Sequence, residues 1–288
     1  MSKPYDFIPF LKTAPHKTLN TGQKLKGKID LRIEVLNAIH VSMTEYDMDS
    51  SGTLYKEFFK INNKYAIPGT SVKGMLRSIS EMISNSCISV SKEESSLLPS
   101  YKHKTCRGRN LCIICDMFGA MGKKSKIKVS DFICEKGTGN KVVIGMPQLR
   151  SPKIGQVYID DKNILKGYKY YKHGIESIMK KGNSNCECFI KGSVFNGYII
   201  YENLDEDELN LLCYSLGLTD GFNHKIGYGK PSYYGSIRIT TENEEYIKHA
   251  ESYKENSPIE IKNNIDILEK VYSYKNANKH ADYDELSY

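Results

Sequence analysis

Apolar and polar residues alternate through Lys28-Ile29-Asp30-Leu31-Arg32-Ile33-Glu34-Val35-Leu36, the period-two pattern of a half-buried strand. Residues 57–67 read as a hairpin that turns at Asn62-Asn63 and rises to Tyr65-Ala66-Ile67. The period then lengthens. Pro68-Gly69-Thr70-Ser71 supplies a turn and a hydroxyl cap, and Val72, Met75, Leu76, Ile79, Met82 and Ile83 recur along one helix face. Residues 126–132 look like another strand, and strand character returns over residues 188–201. A second helix is predicted over Asp205–Leu216: Asp205 caps it, acids fill its first turn, and Leu209, Leu212, Cys213 and Leu216 form the stripe. A Gly-rich loop, His224–Gly235, leads into a last strand, Ser236-Ile237-Arg238-Ile239. Strand, hairpin, helix, strands, helix, strand is an α+β order compatible with a ferredoxin-like βαββαβ core.

Two stretches interrupt that order. Residues 101–128 are loop-like, with eight Lys/Arg against the single Asp116, and residues 133–185 are rich in Gly, Lys and Tyr with few core signals. Both are expected to be insertions, a basic loop at about 100–125 and a projecting unit at about 133–185. Residues 1–240 are expected to form one domain and residues 241–288 an acidic helical tail, an appended arm or a packing surface.

Charge sharpens the division. The tail holds 6 Lys against 11 Asp/Glu, a net of −5, so the formal +7 of the whole chain leaves +12 on residues 1–240. A basic body favours a polyanionic partner. The 21 Tyr, in a chain without Trp, include several beside Lys or Gly, where a ring can stack on a base, although most Tyr are expected to fill strands. No apolar run is long enough for a membrane span, and Met1–Asp6 lacks a secretory layout, so cytoplasmic residence without membrane attachment is the expectation.

Eight Cys in such a setting point away from disulfides. Cys87, Cys134 and Cys213 read as small core residues, and Cys186-Glu187-Cys188 as a strand with both thiols on one buried face. His103-x2-Cys106-x5-Cys112-x2-Cys115 is different: one His and three Cys make a complete tetrahedral set with knuckle spacing. With no open position, such a zinc is structural. It would fold the basic loop and hold Arg107 and Arg109 toward a polyanion.

Two further segments carry candidate chemistry. In Ile67-Pro68-Gly69-Thr70-Ser71-Val72-Lys73-Gly74-Met75-Leu76-Arg77, a turn delivers backbone N–H groups at a helix N-terminus with Lys73 and Arg77 one turn apart, an arrangement suited to phosphate or simply to a capped surface helix. In His224–Gly235, glycines permit close backbone approach while Lys225, Tyr228, Gly229 and Lys230 offer charge and stacking. The second is no Walker loop, because the terminal Gly-Lys-Ser/Thr is missing and a strand follows.

These two segments, about 150 residues apart, resemble the paired signatures of the RAMP superfamily of CRISPR proteins, in which a "PGSSLKG-x-LR" segment opens the first helix and a Gly-rich loop closes the domain. The similarity extends to Leu36–His40, to Cys112-Ile113-Ile114-Cys115-Asp116-Met117-Phe118-Gly119, to Lys128–Phe132, and to the basic-aromatic run Leu165–His173. It implies a modified RRM fold and a Cas-seven-type backbone subunit, type III-D-like or of the related type VII. Several copies would assemble along guide RNA and present it for pairing with target RNA in antiviral defence, beside other effector subunits and a separate nuclease. The 133–185 insertion is where the family's thumb would lie. Carried over by position, His40, Gly69, Thr70, Ser71, Lys73, Arg77, Lys169, Lys172, Lys225, Tyr228, Gly229 and Lys230 would contact RNA, joined by Arg107 and Arg109. Some relatives cut target RNA with an Asp after the first strand. Here Asp47 and Asp49 are the candidates, although Val41-Ser42-Met43 replaces the usual Gly-rich start and acidic turn residues are ordinarily turn formers. An endoribonuclease and a single-copy end-capping subunit are therefore the alternatives.

Overall fold

The computed structural model describes residues 3–14, 24–88, 95–102, 106, 110–137, 139–149, 155–175 and 182–277. After a short strand, β1 (Tyr5–Ile8), comes the long β2 (Leu25–Val35), whose Ile29, Leu31, Ile33 and Val35 point inward while Lys28, Asp30 and Arg32 face out. Next come β3 (Ser42–Met48), β4 (Leu54–Phe58), β5 (Lys60–Ile61) and β6 (Lys64–Ile67). Asn62 and Asn63 make the expected turn between β5 and β6, both at positive φ, which asparagine tolerates.

Helix α1 (Gly69–Met82) starts two residues earlier than a Thr70 cap requires and three earlier than a Ser71 cap does. Pro68 occupies the cap position without a side-chain acceptor, and the first amide, Gly69 N, donates instead to Asp131 Oδ1 at 2.8 Å. The close approach demands glycine: a Cβ at position 69 would lie 2.4 Å from the Val129 carbonyl oxygen.

Onward run α2 (Ile113–Phe118), β7 (Ile127–Val129), β8 (Phe132–Cys134), β9 (Lys141–Met146), β10 (Tyr168–Tyr171), β11 (Ser184–Phe189) and β12 (Val194–Leu204). The apolar stretch expected as one strand at 188–201 is thus two strands, parted by a turn at Gly192, where φ is +89°. Helix α3 (Glu206–Ser215) carries the expected cap as a full capping box: Asp205 accepts from Glu208 N, and Glu208 reaches back to Asp205 N, each at 2.9 Å. β13 (His224–Lys225), β14 (Ser236–Thr240), α4 (Glu244–Asn256) and α5 (Ile259–Tyr272) complete the order.

The main sheet runs β13-β14-β2-β12-β8-β6-β5, with β7 beside β8 on β12. Its centre, β14-β2-β12-β7, is antiparallel throughout and has the 4-1-3-2 order of a ferredoxin-like unit, with α1 and α3 as the two crossovers. The chain is an α+β protein of the expected class. One core joins Ile29 and Ile33 of β2, Val72, Leu76 and Ile79 of α1, and Leu209 and Leu212 of α3. Ile261, Ile265, Leu268 and Val271 of α5 belong to that same core, so α4 and α5 pack on the body and do not extend as an arm. The opposite sheet face stays polar, with Lys28 held 2.6 Å from Asp30 and Arg238 3.7 Å from Glu34.

A second sheet, β3-β4-β11-β9, draws β9 from residues 133–185, β11 from the end of that stretch and the residues after it, and two strands from residues 42–58, which the sequence pattern alone did not reveal as a hairpin. The register Tyr46↔Lys56↔Cys186↔Ile144 puts Tyr46, Met48 and Leu54 on the face that farther in holds Cys186 and Ile144. The inner part is covered by Tyr234 and Tyr228, whereas Tyr46, Met48 and Leu54 remain exposed. β10 lies elsewhere, paired with β1. Among the described residues no helix is long and apolar enough to cross a membrane.

Candidate nucleic-acid interface and metal centre

The two sequence segments meet in space. Ser71, Gly74, Met75 and Ser78 form one face of α1 and line a common cleft with Lys225, Gly227 and Lys230 of the Gly-rich loop and Lys169–Tyr171 of β10. They enclose a cleft of about 480 Å³. Two larger clefts, about 590 and 630 Å³, are lined by Glu206 and Asp207 and by Asp30 and Glu242 respectively. The smaller one has three lysines and no acid on its walls, so charge rather than size selects it for a polyanion.

Its lysines are held in an unusual state. Lys225 is only 4% exposed, and its ammonium donates to the carbonyls of Lys172 (2.9 Å) and Lys230 (3.3 Å). Lys230 Nζ donates to the Gly227 carbonyl at 2.9 Å. Among the described residues neither forms an ion pair with a carboxylate, and burial lowers the pKa of both, that of Lys225 well below the lysine range. A buried cation with only carbonyl partners favours a nearby anion. Lys169 sits over the rings of Tyr5 (4.0 Å), Tyr158 (4.7 Å) and Tyr171 (5.0 Å) and donates to Tyr158 OH, which fixes its position.

Glycines set the loop against the body. Gly227 has φ +81°, and a Cβ there would stand 2.2 Å from the His40 carbonyl oxygen, which accepts from Tyr228 N at 2.8 Å. At Gly229, φ +77°, a Cβ would meet Met146 Cε at 2.8 Å. Tyr228 OH donates to the Pro147 carbonyl and accepts from Leu149 N. His40 is 1% exposed beneath this loop, its Nδ1 2.7 Å from the Glu187 carbonyl, and burial holds its imidazole below the usual range. The His40 side chain is therefore part of the loop's seat and not of the cleft surface.

Other expected contacts also lie apart from the cleft. Lys73 Nζ donates to Ser125 Oγ and the Ile127 carbonyl, both at 2.7 Å, and Arg77 reaches Glu81 and the Gly119 carbonyl at 3.1 Å. Their flank of α1 faces the segment between α2 and β7, and both side chains anchor the helix there. Gly69 and Thr70 begin the helix, with the Gly69 amide taken by Asp131. Lys172 pairs with Asp6 at 3.7 Å.

The two candidate catalytic acids sit on the exposed β3–β4 hairpin. Asp49 Oδ1 accepts from Ser51 N, Ser51 Oγ and Thr53 N at 2.6–2.9 Å, a turn-forming role. Asp47 accepts from Met48 N and Tyr55 OH. Both carboxyls are held below their ordinary value by these bonds.

The thiols form a second centre. Cys87, Cys106, Cys112 and Cys115 place their Sγ atoms within 4.8 Å of one another. Cys87 Sγ is 3.4 Å from that of Cys115 and 3.8 Å from that of Cys112, whereas Zn–S bonds of about 2.3 Å in a tetrahedron imply S···S near 3.8 Å. Cys112 caps α2 and Cys115 lies in its first turn, so the Cys-x-x-Cys wraps one helix end. Cys87, expected as a core residue, comes from beyond the end of α1 and supplies a fourth thiol. His103, Arg107 and Arg109 lie outside the described residues. The centre is not a projecting knuckle: Ile114, Met117 and Phe118 beside it belong to the main core.

The thiols hydrogen-bond to one another, Cys112 Sγ donating to Cys87 Sγ and Cys87 Sγ sharing a bond with Cys115 Sγ, so their protonation is interdependent. Metal binding to such a cluster releases the thiol protons. A divalent ion displaces all four, and this donor set fits a closed structural zinc site.

No curated protein matches the chain by sequence. Residues 32–238 match the family model of the RAMP superfamily, a span that includes α1, α3, most of the central sheet, the four clustered cysteines and the three cleft lysines. The chain belongs to the RAMP superfamily, whose members are CRISPR-associated RNA-binding modules.

Proposed function

We propose that this protein is an RNA-binding backbone subunit of a CRISPR effector ribonucleoprotein, of which several copies line up along guide RNA and present it to target RNA. The observation that carries the reading is the acid-free cleft in which the buried Lys225 and the half-buried Lys230 have only carbonyl partners, and no carboxylate, among the described residues. Phosphate supplies the missing anion without reading sequence, which suits a protein that must accept any guide. Ser71, Lys169, Lys225 and Lys230 are the residues placed for that grip, with Tyr170 and Tyr171 beside them. The exposed Tyr46, Met48 and Leu54 face on the second sheet is the part suited to wedge against paired bases. The four cysteines would hold zinc in a structural role.

Reconstitution of the purified chain with guide RNA tests the reading. A multi-copy particle is expected, with a salt slope that falls by about one for each of Lys169→Gln and Lys230→Gln. Absence of a multi-copy particle would overturn it. A stoichiometric single-copy complex would support the end-capping alternative. If the assembled complex cuts complementary RNA at regular intervals and Asp47→Ala abolishes the cutting, the endoribonuclease alternative replaces the scaffold reading. Intact Asp47→Ala assemblies on uncut target are what the scaffold reading expects.

A further inference from the structure

Lys102 is one of the largest fully buried side chains, 2% exposed, in a 3-10 turn at Ser100–Lys102. Its ammonium donates to the carbonyl of Ser86, the residue before Cys87, and no carboxylate pairs with it among the described residues. Glu81, the carboxylate whose charge reaches Lys102, accepts from Arg77 at 3.1 Å. The other charges acting on this ammonium are those of Cys87, Cys112 and Cys106. A buried primary ammonium with one carbonyl partner is costly unless an anion stands near.

The thiol cluster supplies its full negative charge when metallated. Four thiolates around a divalent ion leave a net charge of −2, in a site where Cys87, Cys112 and Cys115 are each no more than 2% exposed. Backbone amides offset part of it: Cys87 N points at Cys112 Sγ (3.5 Å) and Cys112 N at Cys106 Sγ (3.1 Å). Those are dipoles and cannot neutralise a full charge.

We propose that Lys102 is the built-in countercharge of the four-cysteine centre, offsetting the negative charge left around a divalent ion and so setting how tightly the ion is held. The inference rests on the zinc reading of the cluster. It makes the metal and the lysine mutually dependent: without the ion the buried ammonium is a liability, and with it an asset.

That reversal separates a countercharge from a packing role. Full-length wild type, Lys102→Met and Lys102→Arg are each purified with zinc and assayed by elemental analysis and by competition with a chromophoric chelator. Melting is then followed for zinc-loaded and metal-stripped protein. Lys102→Met is expected to weaken zinc binding 10- to 100-fold, the usual effect of losing an outer partner, with Lys102→Arg recovering most of the loss. Metal-stripped Lys102→Met is expected to melt no lower than metal-stripped wild type. Chelator competition starts from loaded protein, so it reports even if the stripped forms do not fold. Unchanged zinc affinity in Lys102→Met, or equal loss of melting temperature in both forms, overturns the proposal. Wild type without stoichiometric zinc would instead remove the metal reading itself, and the proposal with it.

Discussion

Two glycines in one turn and a half of α1 should respond in opposite ways, and the contrast separates folding from binding. Gly74 is exposed on the cleft wall, and a Cβ built there meets nothing within 4 Å. Glycine in a helix interior costs about 0.5–1 kcal/mol relative to alanine, so Gly74→Ala should raise stability by that amount, roughly 1–2 °C in melting temperature for a chain of this size. Gly69 has the reverse geometry. Its Cβ would stand 2.4 Å from the Val129 carbonyl and 2.6 Å from that of Ser130, so Gly69→Ala must push the helix start away and loosen the Gly69 N–Asp131 bond. A loss of about 1–3 kcal/mol is expected. Gly74→Glu then isolates function. Glutamate is a good helix former, so the fold should persist, but its carboxylate enters a cleft whose walls carry only lysine charge. Across roughly 7 Å at an effective dielectric constant near 20, repulsion of a phosphate is about 2 kcal/mol, or roughly 30-fold in Kd. Thermal melts and fluorescence anisotropy with labelled guide RNA at fixed salt read both quantities. A folded Gly74→Glu that binds RNA like wild type would refute the placement of RNA in this cleft.

Other consequences concern the metal, a buried ion pair and acid sensitivity. Elemental analysis should find one zinc per chain, lost in Cys87→Ser and retained in His103→Ala; the opposite result would restore histidine as the fourth ligand. Lys126 joins Asp116 and Glu208 at 2.7 Å, with Glu208 fully buried. Lys126→Met should therefore cost about 3–5 kcal/mol in urea unfolding, and the added change Glu208→Leu should recover part of it. Burial lowers the His224 pKa from 6.5 to about 4. An imidazole depressed in the fold gives stability that is present above pH 6.5 and is lost as pH falls toward 4, about 2 kcal/mol by pH 5. His224→Gln, which can keep a donor to the Leu216 carbonyl, should flatten that part of the pH dependence of melting.

Local patterns were legible wherever one face of an element meets the core. The alternation at 28–36 identified β2, and Asp205 with the acids of the turn after it marked the start of α3, because both signals are complete within a short window. The β3–β4 hairpin escaped for the complementary reason. Tyr46, Met48 and Leu54 are exposed, so apolar residues there mark no buried face, and Asp47 and Asp49 read as a loop. Cys87 carries no local mark either. It sits 19 residues before Cys106, and only the packing of the end of α1 against α2 brings it to the other thiols. A count of cysteines near the knuckle signals a metal site but cannot say which distant thiol closes it.

The same distinction sorts the cations. Lys73 and Arg77 lie in the segment that most resembles a phosphate site, yet on a helix the neighbours of position 71 are 74, 75 and 78. Positions 73 and 77 fall on another flank, where Ser125, Ile127 and Gly119 offer acceptors. The face that opens on the cleft is instead made of small residues, Ser71, Gly74 and Ser78, which add no charge but leave room for a polyanion backbone to approach. The charge comes from Lys169, Lys225 and Lys230, between about 100 and 160 residues away. One segment thus supplies the space and another the charge. Neither motif alone makes an interface, and the sheet order β14-β2-β12 that joins them is what turns two ordinary loop signatures into one site.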